Sequence, residues 1–466
     1  MKLNYAPNEN PGLWKTIVFA LQQVLAILAA TIVVPVIVGH GMSQAAALFG
    51  AGVGTLVYLL FTKFKSPVFL GSSFAFIGSM GAAFAGAVSA SVGYLGIIIG
   101  AIFAGLVYVV IAVVVKKVGT AWIDKVMPAA VIGPTVAVIG LSLAGNAIGD
   151  LSKGSVLDAL SNPTASPYVA LVCGLVTLFV TIACSVYGKK MLKMIPFIIG
   201  IVAGYAVAAI FTVIGLIAEV PELQVINFGL FQNMQWFPEF TFVKAFDAFK
   251  NLGDFGSYLG TVAVAYIPVA FVVFAEHLAD HKNISSIIEH DLLKDPGLDR
   301  TLLGDGVGSM VGAFFGGCPN TTYGESVGCV AISGNASIVT IVAAAIICII
   351  SSFCAPFVTF LATIPSCVMG GVCVALYGFI AVSGLKMIQK VDLEDNRNLF
   401  VVSVILIAGV GGMVVNFGNV TLTSVACALI LGILTNVLTH WKKTDDDKVE
   451  PVVETAEEEV SPDATE

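Results

Sequence analysis

Four carboxylates lie within or beside strongly apolar segments, where charged side chains are rare. They are Glu276, Asp280, Asp305 and Glu325. A charge at the centre of a membrane span costs about 2.5–3.5 kcal/mol on insertion scales, so such residues usually serve a function. Glu276 and Asp280 are four residues apart and therefore share one face of a helix. We predict that both side chains address one cavity, although Asp280 could instead lie at a cytoplasmic helix end near Lys282.

Glu325 follows Gly324 in a segment that proline and glycine interrupt, Pro319-Asn320-Thr321-Thr322-Tyr323-Gly324-Glu325-Ser326. If a helix begins at this break, its first N–H groups have no partner within the helix and lie beside the carboxylate. Donors and acceptors at one spot suit a planar heterocycle with alternating carbonyl and N–H groups. An inorganic anion would fit badly, because no Lys or Arg lies within these segments.

Two histidines and three aromatic residues are weaker candidates. His277 and His281 could shuttle protons, but His277 adjoins Glu276 in sequence and faces another direction, and His281 lies next to the loop. Phe74, Tyr323 and Tyr377 lie in or near interrupted segments and could stack on a flat ligand. Aromatic residues in membrane proteins usually serve packing, so this spacing alone supports them weakly.

The composition excludes a water-soluble fold. Of 466 residues, 58% are hydrophobic and only 11% are charged, with a mean hydropathy of +0.96. Soluble domains carry about 25% charged residues. Ten of the thirty Asp and Glu residues lie between Asp445 and Glu466, which predicts a disordered acidic tail over residues 441–466. The nine cysteines form no Cys-x-x-Cys pair for zinc or redox chemistry.

The apolar segments predict an all-α polytopic membrane protein of about 14 transmembrane segments, since one span needs about 20 apolar residues. The first seven segments are 13–39, 43–62, 67–90, 94–115, 127–147, 168–187 and 195–216. The second seven are 258–278, 301–317, 319–332, 337–360, 366–387, 399–417 and 422–438. With the N-terminus inside, 19 of the 22 Lys and Arg residues fall on the cytoplasmic side, which predicts that both termini are cytoplasmic.

The third and tenth segments are the irregular ones, and they occupy matching positions in the two halves. Both open with proline and place glycine before polar residues, as in Pro67-Val68-Phe69-Leu70-Gly71-Ser72-Ser73-Phe74. Interrupted segments at matching positions indicate a transporter site. Because each half has seven spans, the halves must be inverted relative to one another. Two ordinary kinked helices are the alternative interpretation.

Four motifs together resemble the nucleobase/ascorbate transporter (nucleobase:cation symporter) family, in particular its bacterial uracil permeases. They are Ala275-Glu276-His277, Asp295-Pro296-Gly297-Leu298, Pro319 to Glu325, and Gly71-Ser72-Ser73-Phe74-Ala75-Phe76. The similarity runs from about Leu13 to Leu438. It implies two inverted seven-span repeats, with short paired strands in spans 3 and 10.

The resemblance also implies a core domain that carries the site and a gate domain beside it. The expected boundaries are core 1–116, gate 117–218, a connecting region 219–257, core 258–362 and gate 363–440. The connecting region could be a surface helix or part of the gate.

The resemblance implies that Glu276 and Glu325 hydrogen-bond a base, that the backbones of Phe74 and Gly324 add donors, and that transport is proton symport. We add Tyr323 and Tyr377 to the expected substrate-binding set, and we assign proton coupling to Glu276, Asp280 and Asp305. Departures from the family pattern are Gln22-Gln23 where Gln-His is common, Ser326 in place of Asn, Ser333 in place of Thr, and Asp280 in place of His. The acidic residues Asp280 and Asp305 resemble acidic positions of some purine carriers of the family.

The expected function is import of uracil with protons by movement of the core against the gate. A xanthine or purine permease of the same family and a passive nucleobase facilitator are the alternatives. An enzyme is disfavoured, because hydrolase and phosphate-loop motifs are absent from the sequence. The expected partners are uracil, protons, the lipid bilayer of the cell membrane and, by resemblance only, a second copy in a homodimer. We expect no nucleic acid, metal or cofactor.

Overall fold

The computed structural model describes residues 3–119, 122–157, 163–189, 191–417 and 420–440. The predicted acidic tail, 441–466, lies outside the described residues. The elements of the first half are α1 (Leu13–Val38), α2 (Gln44–Phe61), β1 (Leu70–Ser72), α3 (Ile77–Ala85), α4 (Ala90–Val118), α5 (Ile123–Val126), α6 (Ala129–Ser142), α7 (Ala144–Asp150), α8 (Pro167–Tyr187), α9 (Met191–Met194) and α10 (Pro196–Ile217).

The second half begins after short 3₁₀ turns. Its elements are α11 (Thr241–Phe246), α12 (Phe255–Ile288), α13 (Leu298–Gly316), β2 (Asn320–Thr322), α14 (Gly324–Ser333), α15 (Ile338–Ser351), α16 (Ala355–Thr363), α17 (Ser366–Ile388), α18 (Asn396–Val410), β3 (Val415–Phe417), β4 (Val420–Leu422) and α19 (Ser424–His440).

Local sequence explains where several long helices begin. Ser43, Ser89 and Asp254 each cap a helix, with the side-chain oxygen accepting a hydrogen bond from a backbone N–H of the first turn. Pro167 and Pro196 open α8 and α10 at the first turn, where a missing N–H costs nothing. These signals bound apolar runs that are long enough to span a bilayer.

Eight helical stretches of the described chain are long and apolar enough to cross a membrane. A ninth candidate is the pair α15 and α16, which bends by 83° at a short break. The predicted fold class is confirmed: the protein is a helical, multi-pass membrane protein. The exact number of fourteen spans stays a prediction, because some of the predicted segments are short helices.

The two irregular segments form the predicted strand pair. β1 and β2 are antiparallel, with Leu70 opposite Thr322 and Ser72 opposite Asn320. Each strand leads directly into a short helix, α3 or α14. The interpretation as ordinary kinked helices is therefore wrong. Antiparallel pairing of corresponding strands is what two inverted halves require.

Small residues bring helices of the two halves together. A Cβ on Gly50 of α2 would lie 2.6 Å from the carbonyl oxygen of Gly312 on α13. A Cβ on Gly316 would lie equally close to the carbonyl oxygen of Ala46. Glycine therefore permits the two backbones to approach as they do in membrane helix packing.

The helices fall into two packed groups. In one group α1, α2 and α4 pack with α12, α13 and α15, and in the other α6, α8 and α10 pack with α17, α18 and α19. These groups contain the elements that we assigned to the core and gate domains. The domain boundaries themselves stay a prediction.

The region 219–257 consists of short turns and the helix α11. Lys244 donates to the carbonyl of Gly41 at 2.5 Å, and α11 packs on α4 and α13. The helix α11 therefore lies against helices of the first group, whereas Val225 and Ile226 donate to Thr212 on α10 of the second group.

Candidate substrate-binding site

The paired strands are fixed by buried polar side chains of the surrounding helices. The backbone N–H of Leu70 donates to Thr55 Oγ1 on α2 at 2.9 Å, and Asn320 Nδ2 donates to the carbonyl of Gly50 at 3.0 Å. Ser309 on α13 donates to the carbonyl of Asn320. Each strand is only three residues long, so these bonds satisfy backbone groups that no wider sheet could satisfy.

Tyr323 locks the two strands at the point where α14 begins. Its hydroxyl donates to the carbonyl of Ser72 at 2.8 Å, and its N–H donates to the carbonyl of Phe69 at 3.2 Å. A Cβ on Gly71 would lie 2.3 Å from the Tyr323 ring, so only glycine fits beneath it. Tyr323 therefore ties the start of α14 to β1.

A cavity of about 350 Å³ lies where β2 and α14 meet α12 of the first helix group and α6, α10 and α17 of the second. Its lining includes Phe74, Glu276, Asp280, Thr321, Thr322, Tyr323, Gly324, Glu325, Val136, Phe197, Phe379, Ile380, Ser383 and Met387. The volume is within the range of small-molecule sites.

Three of the four predicted carboxylates line this cavity. Glu276 and Asp280 come from one face of α12, as their spacing predicts, and Glu325 comes from the first turn of α14. All three are half-buried. The alternative position for Asp280 at a helix end is wrong, because α12 continues to Ile288.

Asp280 has a defined partner inside the cavity. Thr322 Oγ1 on β2 donates to Asp280 Oδ2 at 2.8 Å. A hydroxyl donor stabilises the ionised carboxylate and ties α12 to the strand pair. None of the described residues that line the cavity is a Lys or Arg, so any bound group must satisfy the acidic side chains with its own donors.

Asp305 is not brought to the cavity. Its carboxylate is fully buried on α13 and lies 2.7 Å from His277 Nδ1, while His277 Nε2 lies 3.0 Å from Thr301 Oγ1. His281 is also buried and bonds Tyr58 at 2.6 Å. The two imidazole rings stack 3.9 Å apart. These side chains form a polar cluster on the other side of α12 from the cavity.

Two of the three aromatic candidates line the cavity and the third does not. Phe74 and Tyr323 line the cavity. Tyr377 does not line it, but its ring packs edge-on against Phe74 with centroids 5.8 Å apart. Tyr377 thus supports the orientation of a ring that does face the cavity. Stacking on a ligand stays a prediction for Phe74 and Tyr323.

Sequence reasoning missed several lining residues. Thr322 lies on the predicted strand but shows no charge, and Phe197, Phe379, Ser383 and Met387 come from apolar helices of the second group. No motif singles out these residues. Only the packing of α10 and α17 against the strand pair places them at the cavity.

The site combines acceptors and donors for a neutral, flat molecule. The carboxylates accept hydrogen bonds, and the first N–H groups of α14 have no intrahelical partner. The positive end of the helix dipole favours a ligand oxygen or the Glu325 carboxylate at this end. Apolar and aromatic side chains complete the walls. Among the described residues, no group of three His, Cys, Asp or Glu side chains could hold a metal ion.

The fold and the cavity define a class: a multi-pass membrane protein with a candidate binding site beside two paired, broken segments. The fold is shared with the transmembrane domain of a cyanobacterial bicarbonate transporter BicA, at a TM-score of 0.62 and 14% identity over 94% of this chain and 99% of that chain. It is also shared with the murine anion transporter Slc26a9, at a TM-score of 0.61 and 13% identity over 93% of this chain and 69% of that chain.

The sequence comparisons give the family. The family described as "Permease family" (Xan_ur_permease) matches residues 14–418. The uracil permease of Bacillus subtilis (strain 168) is 37% identical over 95% of this chain and 97% of its own length. The uracil permease of Escherichia coli (strain K12) is 36% identical over 91% of both chains. This chain therefore belongs to the nucleobase/ascorbate permease family and is a transporter, not an enzyme.

Proposed function

We propose that the protein imports uracil together with protons across the cell membrane. The cavity at the start of α14 carries this proposal, because it places carboxylate acceptors beside backbone donors. Uracil presents N–H donors and carbonyl acceptors at its edge, and its flat ring matches a site walled by Phe74 and Tyr323. The uracil permeases among the relatives support the same base.

Glu276 and Glu325 accept from the N–H groups of the base in this proposal, and the N–H groups of Phe74 and Gly324 donate to its carbonyls. Glu276 lies on α12 and Glu325 lies on α14, so a bound base joins the two elements. The hydrogen bond from Thr322 holds Asp280 beside them. The base thereby replaces water at Glu276 and Glu325.

Proton coupling follows from the cost of isolated charge. When the site closes, an ionised carboxylate loses its hydrating water. This desolvation costs free energy unless the carboxylate is paired or becomes protonated. Protonation of Glu276 or Asp280 would remove this cost and allow the site to close. Asp305 could take part only through α12 or His277, because it does not reach the cavity.

Alternating access needs the cavity to open to each side in turn. The cavity is lined by α12 and α14 from the first helix group and by α6, α10 and α17 from the second. We propose that the first group is the core, the second is the gate, and that movement between them exposes the site. Both termini are cytoplasmic in this arrangement, which the distribution of Lys and Arg supports. A homodimer would keep the gate fixed in the bilayer.

The test is uptake of radiolabelled uracil into proteoliposomes with and without an inward proton gradient. Unlabelled xanthine, hypoxanthine and thymine serve as competitors. Gradient-driven uptake that uracil blocks and xanthine does not would support the proposal. Competition by xanthine alone would assign the carrier to purines, in keeping with Asp280 at the cavity. Uptake that ignores the gradient would indicate a passive facilitator.

A further inference from the structure

The segment before α1 lies along the junction between α14 and α15. We call residues 4–9 the N-terminal strap. The N–H groups of Asn4 and Tyr5 donate to the carbonyl of Gly334 at 2.7 and 3.2 Å. Asn4 Nδ2 donates to the carbonyl of Ser333 at 2.9 Å. The strap therefore supplies donors to the C-terminal end of α14, where helix carbonyls lack partners.

The strap supplies acceptors to the start of α15. The carbonyl of Tyr5 accepts from the N–H of Ala336 at 2.9 Å, and the carbonyl of Pro7 accepts from the N–H of Ile338 at 3.0 Å. Ser337 Oγ donates to the carbonyl of Glu9 at 2.6 Å. One short segment thus satisfies one helix end with donors and the next helix end with acceptors.

The same part of the chain also reaches the other end of α14. The strap leads into α1, and Gln23 on α1 donates through Nε2 to Ser326 Oγ. Ser326 Oγ also accepts from the N–H of Phe69 at 3.0 Å. Ser326 follows Glu325 directly, so α14 is held at both ends by the first 23 residues.

This support matters because α14 is short. It has ten residues, and the stability of so short a helix comes mostly from its tertiary contacts. At about 1.5 Å of rise per residue, the strap contacts lie roughly 15 Å from the cavity. A loss of these contacts would let the helix end fray and tilt, which would displace the N–H groups and the carboxylate at its start.

We propose that the N-terminal strap is a positioning element of the binding site: it clamps the α14–α15 junction and thereby fixes Glu325 and the donor end of α14. The identity of the bound base rests on the proposed function. The clamp itself does not, since it follows from hydrogen bonds that exist without a ligand.

The test variant is Asn4→Pro/Tyr5→Pro in the full-length chain. Proline has no N–H, so both donors to Gly334 are lost, together with the Asn4 side-chain bond. The matched control is Tyr5→Phe, which keeps both N–H groups and the ring but removes the hydroxyl that accepts from Lys15 Nζ at 2.8 Å. We expect the Kd of the double-proline variant for uracil to rise about tenfold, and that of the control to stay unchanged.

Two further measurements separate positioning from general loosening. In the ligand-free protein, hydrogen exchange should accelerate at residues 326–333 of α14 but not at residues 77–85 of α3. In a Glu325→Gln background, the double-proline change should add much less than a further tenfold, because both changes act on the same contact. Equal acceleration at both helices, or effects on Kd that add fully, would overturn the proposal.

These measurements also distinguish this proposal from the proposed function. If the wild-type protein binds xanthine and not uracil, the proposed substrate is wrong, and the same variants are compared with xanthine as the probe. Faster exchange confined to α14 would still support the clamp. Unchanged exchange at α14 would contradict it, whichever base binds.

Discussion

Two polar clusters lie on opposite sides of α12. The first contains Glu276 and Asp280, which are half-buried and line the cavity. The second contains His277 and His281, which are fully buried and bonded to Asp305 and Tyr58. Glu276 and His277 are adjacent in sequence, yet a rotation of about 100° per residue sends them in different directions.

The difference in burial and bonding between the two clusters indicates which acidic groups are available to a ligand. A buried polar group that already has its partners stabilises the fold, and opening it to a ligand would break those bonds. A half-buried carboxylate beside a cavity can exchange water for a ligand at little cost. The cavity-side cluster is therefore suited to binding, and the second cluster is suited to fixing α12 against α2 and α13.

The largest effect is expected for Glu276→Gln. The change keeps the shape but removes the charge, so a strong acceptor for the base and a site for the proton disappear together. We expect gradient-driven accumulation of uracil to fall to background in proteoliposomes. Glu394→Gln, on an exposed loop, is the matched control and should transport normally. Normal accumulation in the Glu276→Gln variant would contradict the assignment of the cavity-side cluster.

A large effect on stability is expected for His277→Ala. It leaves the buried Asp305 carboxyl group without its imidazole partner, and a buried polar group that loses its hydrogen-bond partner costs about 1–3 kcal/mol. We expect a clearly lower thermal midpoint in detergent. The double variant His277→Leu/Asp305→Leu should recover much of the loss, because no unpaired buried polar group remains. If His277→Ala lowers uracil affinity without lowering the midpoint, the division between the two clusters fails.

A moderate effect is expected for Thr322→Val. The variant removes the hydroxyl that donates to Asp280 Oδ2 but keeps the size of the side chain. The bond is present without substrate and holds Asp280 in place, so its loss should raise KM for uracil by up to about tenfold. Thr16→Val is the control, since the buried Thr16 hydroxyl lies on α1 outside the cavity and has no hydrogen-bond partner among the described residues. Equal effects of the two variants would show that the bond to Asp280 does not matter for transport.

Much of the fold was predictable because its signals are local and strong. Apolar length predicts spans, and the proline and glycine breaks at Pro67 and Pro319 predict the irregular segments, which the strand pair confirms. The four-residue spacing of Glu276 and Asp280 correctly places both at one cavity. Each of these inferences needs only one or two elements.

The features of the fold and the site that the sequence does not predict depend on contacts between distant parts of the chain. The sequence does not reveal that Asp305 faces His277 and not the cavity, since the rotation of α13 is set by its packing against α2 and α4. Nor does it reveal that Phe197 and Met387 reach the site. The bend between α15 and α16 was also missed, because the apolar run continues through it.

The smallest effect is expected for an exposed ion pair between the segment after α2 and the segment before α13. There, Lys65 Nζ contacts both carboxylate oxygens of Asp295, at 2.5 and 2.7 Å. The hydrogen bond from Lys65 lowers the pKa of Asp295 below its usual range. Because the folded-state pKa is lowered, the bridge stabilises the protein fully above about pH 4 and loses this contribution as the pH falls through the folded-state pKa. Asp295→Asn should therefore lower the thermal midpoint slightly at pH 7.

The difference between wild type and Asp295→Asn should shrink as the pH falls below about 4 and when salt is raised to about 1 M, where the screening length is about 3 Å. Exposed pairs contribute little because water competes for both partners. The buried His277–Asp305 pair is shielded from salt, so the defect of His277→Ala should persist at the same ionic strength. A salt-sensitive defect in His277→Ala would mean that the second cluster is open to water and, like the cavity-side cluster, accessible to a ligand.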